Sequence, residues 1–167
     1  ILAADTAHYD GVIRAFEARG LRVIPVFAGG LDARPAIDRY FKRDGYVVID
    51  AMVSLTGFSL VGGPAYNDSA AAVEALSGLD VPYIAAHSIE FQTLGQWGSS
   101  AGGLGPVETT MLVALPEIDG ATNPTVFGGR HSAEGCHGCA RDCGATSDCK
   151  AMAPCLERIE VLAEKAV

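Results

Sequence analysis

A three-layer α/β fold with a mostly parallel sheet, of the flavodoxin or Rossmann kind, is what three features of this chain predict. Apolar, β-branched runs alternate with helix-period segments through residue 127. The breaks between them carry Gly, Pro, Asn and Asp. The runs at 21–28 and 46–55 are nearly continuously apolar, the pattern of strands covered on both faces. With 167 residues there is room for one domain and an appendage. The expected organisation is an α/β domain over 1–130, a Cys-rich C-terminal segment over 131–155, and the start of a further helix over 156–167.

Taken in order, ILAAD at 1–5 reads as the end of a strand, and Asp5-Thr6 caps a helix from about 7 to 19. Val12, Ile13 and Phe16 form its apolar stripe and Gly20 stops it. The strand at 21–28 ends at Gly29-Gly30. Pro35 opens a helix over about 33–43, with Ile37, Tyr40 and Phe41 inward and Gly45 as its terminator. A third strand, 46–55, follows. Asn67-Asp68 starts a helix through about 79, with Val73, Leu76 and Leu79 on one side, and a short strand at 81–86 ends at His87-Ser88. A helix over 89–97, a short helix over 106–111, a strand at 112–115, turn chemistry around Asp119-Gly120, and a last strand at 125–127 complete the domain. Helical pattern returns from Pro154. Val167 falls inside that helix with no stop signal, so a piece of a longer polypeptide is expected.

Composition excludes several classes. A formal charge of −8 argues against a nucleic-acid partner, which needs clustered Lys and Arg, and against electrostatic docking on an anionic membrane. Hydrophobic content of 49% with 19% charged residues is that of a globular chain. No apolar run reaches the length of a transmembrane helix and no signal-peptide pattern opens the chain, which makes the cytoplasm the default compartment. Neither a GxGxxG nor a GxxxxGK[ST] motif occurs, so ATP is not expected to bind this segment through a P-loop.

The stretch SLTGFSLVGGPAYN at 54–67 is the first candidate for a site. In an open parallel sheet, ligands sit beyond the carboxyl ends of the strands. Gly57, Gly62 and Gly63 permit positive φ and close backbone approach, Thr56 supplies a hydroxyl, and Phe58 and Tyr66 supply flat apolar surface. Gly-Gly-Pro can equally serve only a tight crossover. His8, in the first turn after a strand end, is a second candidate, with a solvated or capping histidine as the plainer reading. His87 with Glu90 forms a third polar cluster, again readable as a capped helix beside a solvated histidine. Glu108 falls in the short helix after a Gly-rich loop.

All five cysteines lie in the last quarter: Cys136, Cys139, Cys143, Cys149 and Cys155, spaced C-x2-C-x3-C-x5-C-x5-C, with His131 and His137 nearby. In a reducing compartment such clustering points to metal ligation, either tetrahedral Zn or an Fe-S cluster. The spacing matches no standard pattern, and disulfides or a thiol-rich linker stand as the alternatives.

Six words carry a resemblance: HYDGVI at 8–13, EARGLRVIP at 17–25, SLTGFSLVGGPA at 54–65, LDVPY at 79–83, EFQT at 90–93 and ALPEIDG at 114–120. Together, in register from about residue 3 to 130, they resemble the large H subunits of magnesium chelatase, of the bacteriochlorophyll-branch type, a family related to the cobaltochelatase large subunit. The resemblance implies an internal fragment of a very large subunit that binds protoporphyrin IX. Two smaller subunits, one an ATP-hydrolysing motor, join it to insert Mg2+ for chlorophyll and bacteriochlorophyll biosynthesis. It implies a cytoplasmic protein, at most peripheral to the photosynthetic membrane. Metallating a porphyrin removes two pyrrole protons and strips water from Mg2+, which dehydrates reluctantly. The site therefore needs a neutral imidazole or carboxylate, oxygen ligands and apolar walls. His8, His87, Glu90 and Glu108 have the first chemistry, and Thr56, Gly57, Phe58, Gly62, Gly63 and Tyr66 could line a wall. Alternatives are a non-catalytic docking module with a metal- or redox-responsive cysteine hinge, a cobaltochelatase domain, and a free-standing small-ligand domain.

Overall fold

The computed structural model describes residues 5–63, 66–131 and 152–167. Its core is one four-stranded sheet in the order β3-β6-β7-β8, where β3 is Met52–Ser54, β6 is Tyr83–Thr93, β7 is Thr122–Arg130 and β8 is Met152–Pro154. β3 with β6 and β6 with β7 are parallel, and β7 with β8 is antiparallel. The chain is thus α/β with a mixed sheet. Two two-stranded ribbons stand apart from it: β1 (Lys42–Arg43) with β2 (Tyr46–Val47), and β4 (Gly62–Gly63) with β5 (Tyr66–Asn67).

The alternation of side chains along a strand sends neighbouring residues to opposite faces. Ile84 and Ala86 of β6, with Phe127 of β7, bury against Val12 and Phe16 of α1 (Ala7–Ala18) and Ile159 and Leu162 of α7 (Leu156–Lys165). Met52 instead packs with Leu60, Val61, Ile37 of α2 (Arg34–Tyr40) and Ala72 of α3 (Ser69–Ser77). Both faces therefore carry an apolar cluster. α3 begins where its sequence says it should, because the Asp68 carboxylate accepts from Ala71 N at 3.0 Å.

Close packing explains three glycines. A Cβ on Gly11 would stand 2.8 Å from Pro154 Cβ, so α1 can lie directly on β8. On Gly128 it would meet Ala153 O at 2.6 Å, and on Gly129 the carbonyl oxygen of Ile89 at 2.8 Å. Gly128-Gly129 accordingly runs inside β7, where it lets strands approach, and does not end the strand at 127 as the sequence suggested.

Several other expectations are corrected. Residues 21–28 form no ladder: Pro25 removes a donor from the middle of the run, Leu21 and Val23 pack inward, and Phe27 is 56% exposed. The single strand expected at 46–55 is split. Asp44 and Gly45 both take positive φ (52° and 83°), which makes the two-residue hairpin of β1 and β2. Tyr40, expected inside, is exposed, and Val73 is exposed although Leu79, expected on the same side of α3, is buried.

Residues 89–93 extend β6 instead of opening a helix. The helix α4 (Leu94–Ser99) starts only at Thr93, whose hydroxyl accepts from Gln96 N at 3.1 Å while Gln96 Oε1 accepts from Thr93 N at 2.9 Å. The strand expected at 112–115 is helical. α5 (Pro106–Thr109) runs into a π-turn (Thr110–Ala114) and then α6 (Leu115–Ile118). Pro116 lacks the N–H that an α-helix would send back to residue 112, which favours the wider turn before it. Helix α7 begins at Leu156 and packs on β7 and α1, so the chain's last segment belongs to the same body. No helix among the described residues is long and apolar enough to cross a membrane.

Candidate functional site

β6 positions most of the candidate side chains. His87 sits where β6 pairs with Val126 of β7, is 2% exposed, and neither ring nitrogen meets a hydrogen-bond partner among the described residues. Burial, helped by the Arg158 cation, pulls its pKa down to about 4, so the imidazole is neutral near pH 7. Gly57, at φ +72°, lies directly over it. A Cβ there would reach 2.6 Å from Leu112 Cδ2 on the π-turn and 3.3 Å from His87 Cβ. The first arm of the glycine loop and the π-turn thus roof His87.

His8, the second residue of α1, is also buried, its ring stacked 5.7 Å from Phe127 and tilted at 37° to Tyr9, 4.0 Å away. Its Nδ1 has no hydrogen-bond partner among the described residues. Burial lowers its pKa, opposed in part by the Asp5 carboxylate. The Tyr9 phenol is raised by burial and then by the charge of Glu90, which places Glu90 within electrostatic reach of this aromatic cluster. Glu90 itself is exposed and accepts from Ser88 Oγ at 3.4 Å. His8, Tyr9 and Glu90 therefore gather at the start of α1 on the Phe127 side of the sheet, while His87 lies apart from them on the Val126 side, under Gly57 and Leu112. Such groups can accept a proton or, at Glu90, supply an oxygen ligand.

Glu108 is buried and turned toward backbone: Oε1 accepts from Gln92 N at 3.3 Å and Oε2 from Gly105 N at 3.4 Å. It ties the loop before α5 to the end of β6. Cys155 is buried beside Ile89, Leu94 and Val126. Cys136, Cys139, Cys143 and Cys149 lie outside the described residues. Among the described residues, no group of three His, Cys, Asp or Glu is gathered as a metal site.

The glycine loop divides. Thr56, Gly57 and half-buried Phe58 stay with β3 and His87, with Thr56 Oγ1 3.1 Å from Ser54 Oγ. Gly62, Gly63 and Tyr66 form the β4–β5 ribbon, where Gly63 faces Leu31 and Tyr66 is 70% exposed. The two sets of candidate residues are therefore in different surroundings.

Asp119 is the residue the sequence concealed. It is 1% exposed, and its Oδ2 accepts from Leu60 N at 2.7 Å while Oδ1 accepts from Ser59 Oγ at 3.1 Å. Burial pushes the neighbouring Tyr83 phenol up to about 12, with the Asp119 charge adding to the shift. An Asp before Gly reads as a turn residue serving its own backbone. Nothing in the sequence showed that its carboxylate reaches sixty residues back.

This geometry defines a class: an α/β domain that collects acid–base groups and apolar surface along its two central parallel strands. The chain belongs to the CobN/Magnesium Chelatase family, which matches residues 1–167. It is 73% identical to the magnesium-chelatase H subunit of Cereibacter sphaeroides over 99% of the chain and 14% of that relative. It is 64% identical to the magnesium-chelatase H subunit of Rhodobacter capsulatus over 100% of the chain and 14% of the relative. To the chloroplastic magnesium-chelatase protein ChlH of Oryza sativa subsp. indica it is 49% identical over 78% of the chain and 10% of the relative. The chain thus spans about one-seventh of the length of the bacterial relatives, as a 14% share means.

Proposed function

We propose that this chain is a segment of the porphyrin-binding H subunit of a magnesium chelatase, which inserts Mg2+ into protoporphyrin IX in the route to chlorophyll or bacteriochlorophyll. The observation that carries the reading is 73% identity to a magnesium-chelatase H subunit over 99% of the chain. Its identities to magnesium-chelatase subunits favour it over a cobaltochelatase domain or a purely structural module. In this reading the fold is a flavodoxin-like, three-layer variant, and Cys136, Cys139, Cys143 and Cys149 could take Zn or an Fe-S cluster. The whole protein works in the cytoplasm, at most peripheral to the photosynthetic membrane, and ATP is hydrolysed on one of two smaller partner subunits.

Mg2+ is substrate here, and the work of this segment is to take protons and bound the ring. Each pyrrole N–H must lose its proton as a nitrogen–metal bond forms. A neutral imidazole can receive it, and burial keeps His8 in that form at pH 7; His87, also neutral but enclosed and with its pKa held down to about 4, supports the arm above it. The exposed carboxylate of Glu90 offers a hard oxygen to a dehydrating Mg2+. Phe58 and Thr56 supply wall, and Glu108 holds the 105 loop against β6. The test is steady-state chelation by the full-length protein with its partners. His8→Ala and Glu90→Gln should each lower the rate at least tenfold with folding retained, and full rates in both would remove these two residues from the mechanism.

A further inference from the structure

We propose that Asp119 is a positioning residue for the tetrapyrrole wall: its buried carboxylate clamps Ser59 and Leu60 and thereby fixes the Thr56–Gly57–Phe58 arm over His87. The inference rests on the reading above, in that it takes this arm to face the ring. Three observations support it. The Asp119 carboxylate accepts from one backbone amide and one hydroxyl of the same two-residue step, at 2.7 and 3.1 Å. The single Ser59 hydroxyl proton is shared between Asp119 Oδ1 and Val61 O, each at 3.1 Å, and the same oxygen accepts from Val61 N at 3.4 Å, so this side chain ties the carboxylate to the backbone across the step. Gly57 and Leu60 are three residues apart. The arm is therefore held on one side by β3, which ends at Ser54, and on the other by this clamp.

A carboxylate suits the role. It accepts at both oxygens, and hydrogen bonds to an ionised acceptor are shorter and stronger than neutral ones. A carboxamide keeps only one acceptor, so if its oxygen stays on Leu60 N–H its NH2 group replaces the acceptor that Ser59 Oγ now donates to, and the bond to Leu60 loses its ionised acceptor. Gly57 has no side chain with which to grip its neighbours and stands at positive φ, so the arm's own residues give it little rigidity. A contact made from the C-terminal end of α6 supplies that rigidity.

The experiment uses the full-length protein carrying Asp119→Asn or Ser59→Ala, with Phe58→Ala as a reference variant. Hydrogen–deuterium exchange of the peptide containing Leu60 reads the clamp. Titration with protoporphyrin IX and the porphyrin dependence of chelation read the site. Asp119→Asn should speed Leu60 exchange at least tenfold and raise porphyrin Kd and KM about tenfold, with kcat at saturating porphyrin within twofold. Ser59→Ala, which keeps the buried carboxylate and the Leu60 bond, should shift the same quantities about threefold, and it carries the test if the Asn variant does not fold. Unchanged Leu60 exchange in both variants would overturn the clamp. Faster exchange with unchanged porphyrin affinity, while Phe58→Ala weakens binding, would overturn the positioning role alone. If Phe58→Ala is also without effect, the reading of the arm as a ring wall has failed, and the role given to Asp119 falls with it.

Discussion

The two halves of the glycine loop share a composition but occupy different surroundings. Gly57 is wedged between Leu112 and His87, and the chain beyond it is tied down by Asp119. Gly62 and Gly63 belong to a short ribbon beside Leu31, a side chain that is itself 63% exposed. The difference teaches that a glycine-rich word is not a site in itself. What distinguishes its halves is whether titratable groups and rigid anchors converge on them, and only the first half has both.

Substitutions sharpen this contrast in order of size. Gly57→Ala should cost about 4 kcal/mol, combining a side chain in the left-handed region with overpacking against Leu112 and His87; urea unfolding of the chain measures it, and a cost below about 1 kcal/mol would mean the roof over His87 is loose. Acid should come next. The folded pKa of His87 is depressed to about 4 from 6.5, so the unfolded chain binds more protons between these values. The neutral, buried imidazole thus contributes stability fully above pH 6.5 that falls by about 3 kcal/mol as pH drops to 4. His87→Leu should flatten that part of the pH–stability curve, and a curve unchanged by the substitution would place the titration elsewhere.

At Gly63 and Tyr66 of the second half effects should be small, whereas Gly62, at φ +115° with Tyr66 O overlapping the place a Cβ would take, is fixed by the ribbon's own backbone. Gly63→Ala meets only the end of the exposed Leu31 side chain, which can swing aside, and should cost less than about 1 kcal/mol. Tyr66→Ala, at an exposed position, should change stability by no more than about 0.5 kcal/mol in the same unfolding experiment. A large loss at either position would erase the distinction between the two halves.

Much of the scaffold was legible because local rules and tertiary packing agree there. The apolar stripe of α1, the Asp68 cap of α3 and the first residues of β6 are each written in a few neighbouring residues. Where they disagreed, packing and hydrogen bonding won. The run at 21–28 has strand composition, but Pro25 and its half-exposed side chains leave it unpaired. Residues 110–114 have strand-like apolarity but sit between two proline-started helices. His8, His87 and Glu90 were recognisable as candidates from their chemistry, although His87 and Glu90 lie within β6 and not at a strand end or in a helix. That both histidines would be buried, with His8 Nδ1 and both His87 nitrogens lacking partners among the described residues, was not, since burial depends on Leu112, Phe127 and other residues distant in the chain. Asp119 was hidden for the same reason, because its partners at 59 and 60 are brought to it only by the fold.

The most direct test of the central claim is a protoporphyrin IX titration of the full-length protein, followed by Soret absorbance, with one variant in each half of the loop. The first-half variant Thr56→Val should weaken binding at least fivefold, while Tyr66→Ala leaves Kd within twofold of the parent. Equal affinities for all three proteins, or a loss confined to Tyr66→Ala, would contradict the assignment of the first arm as the wall of the site.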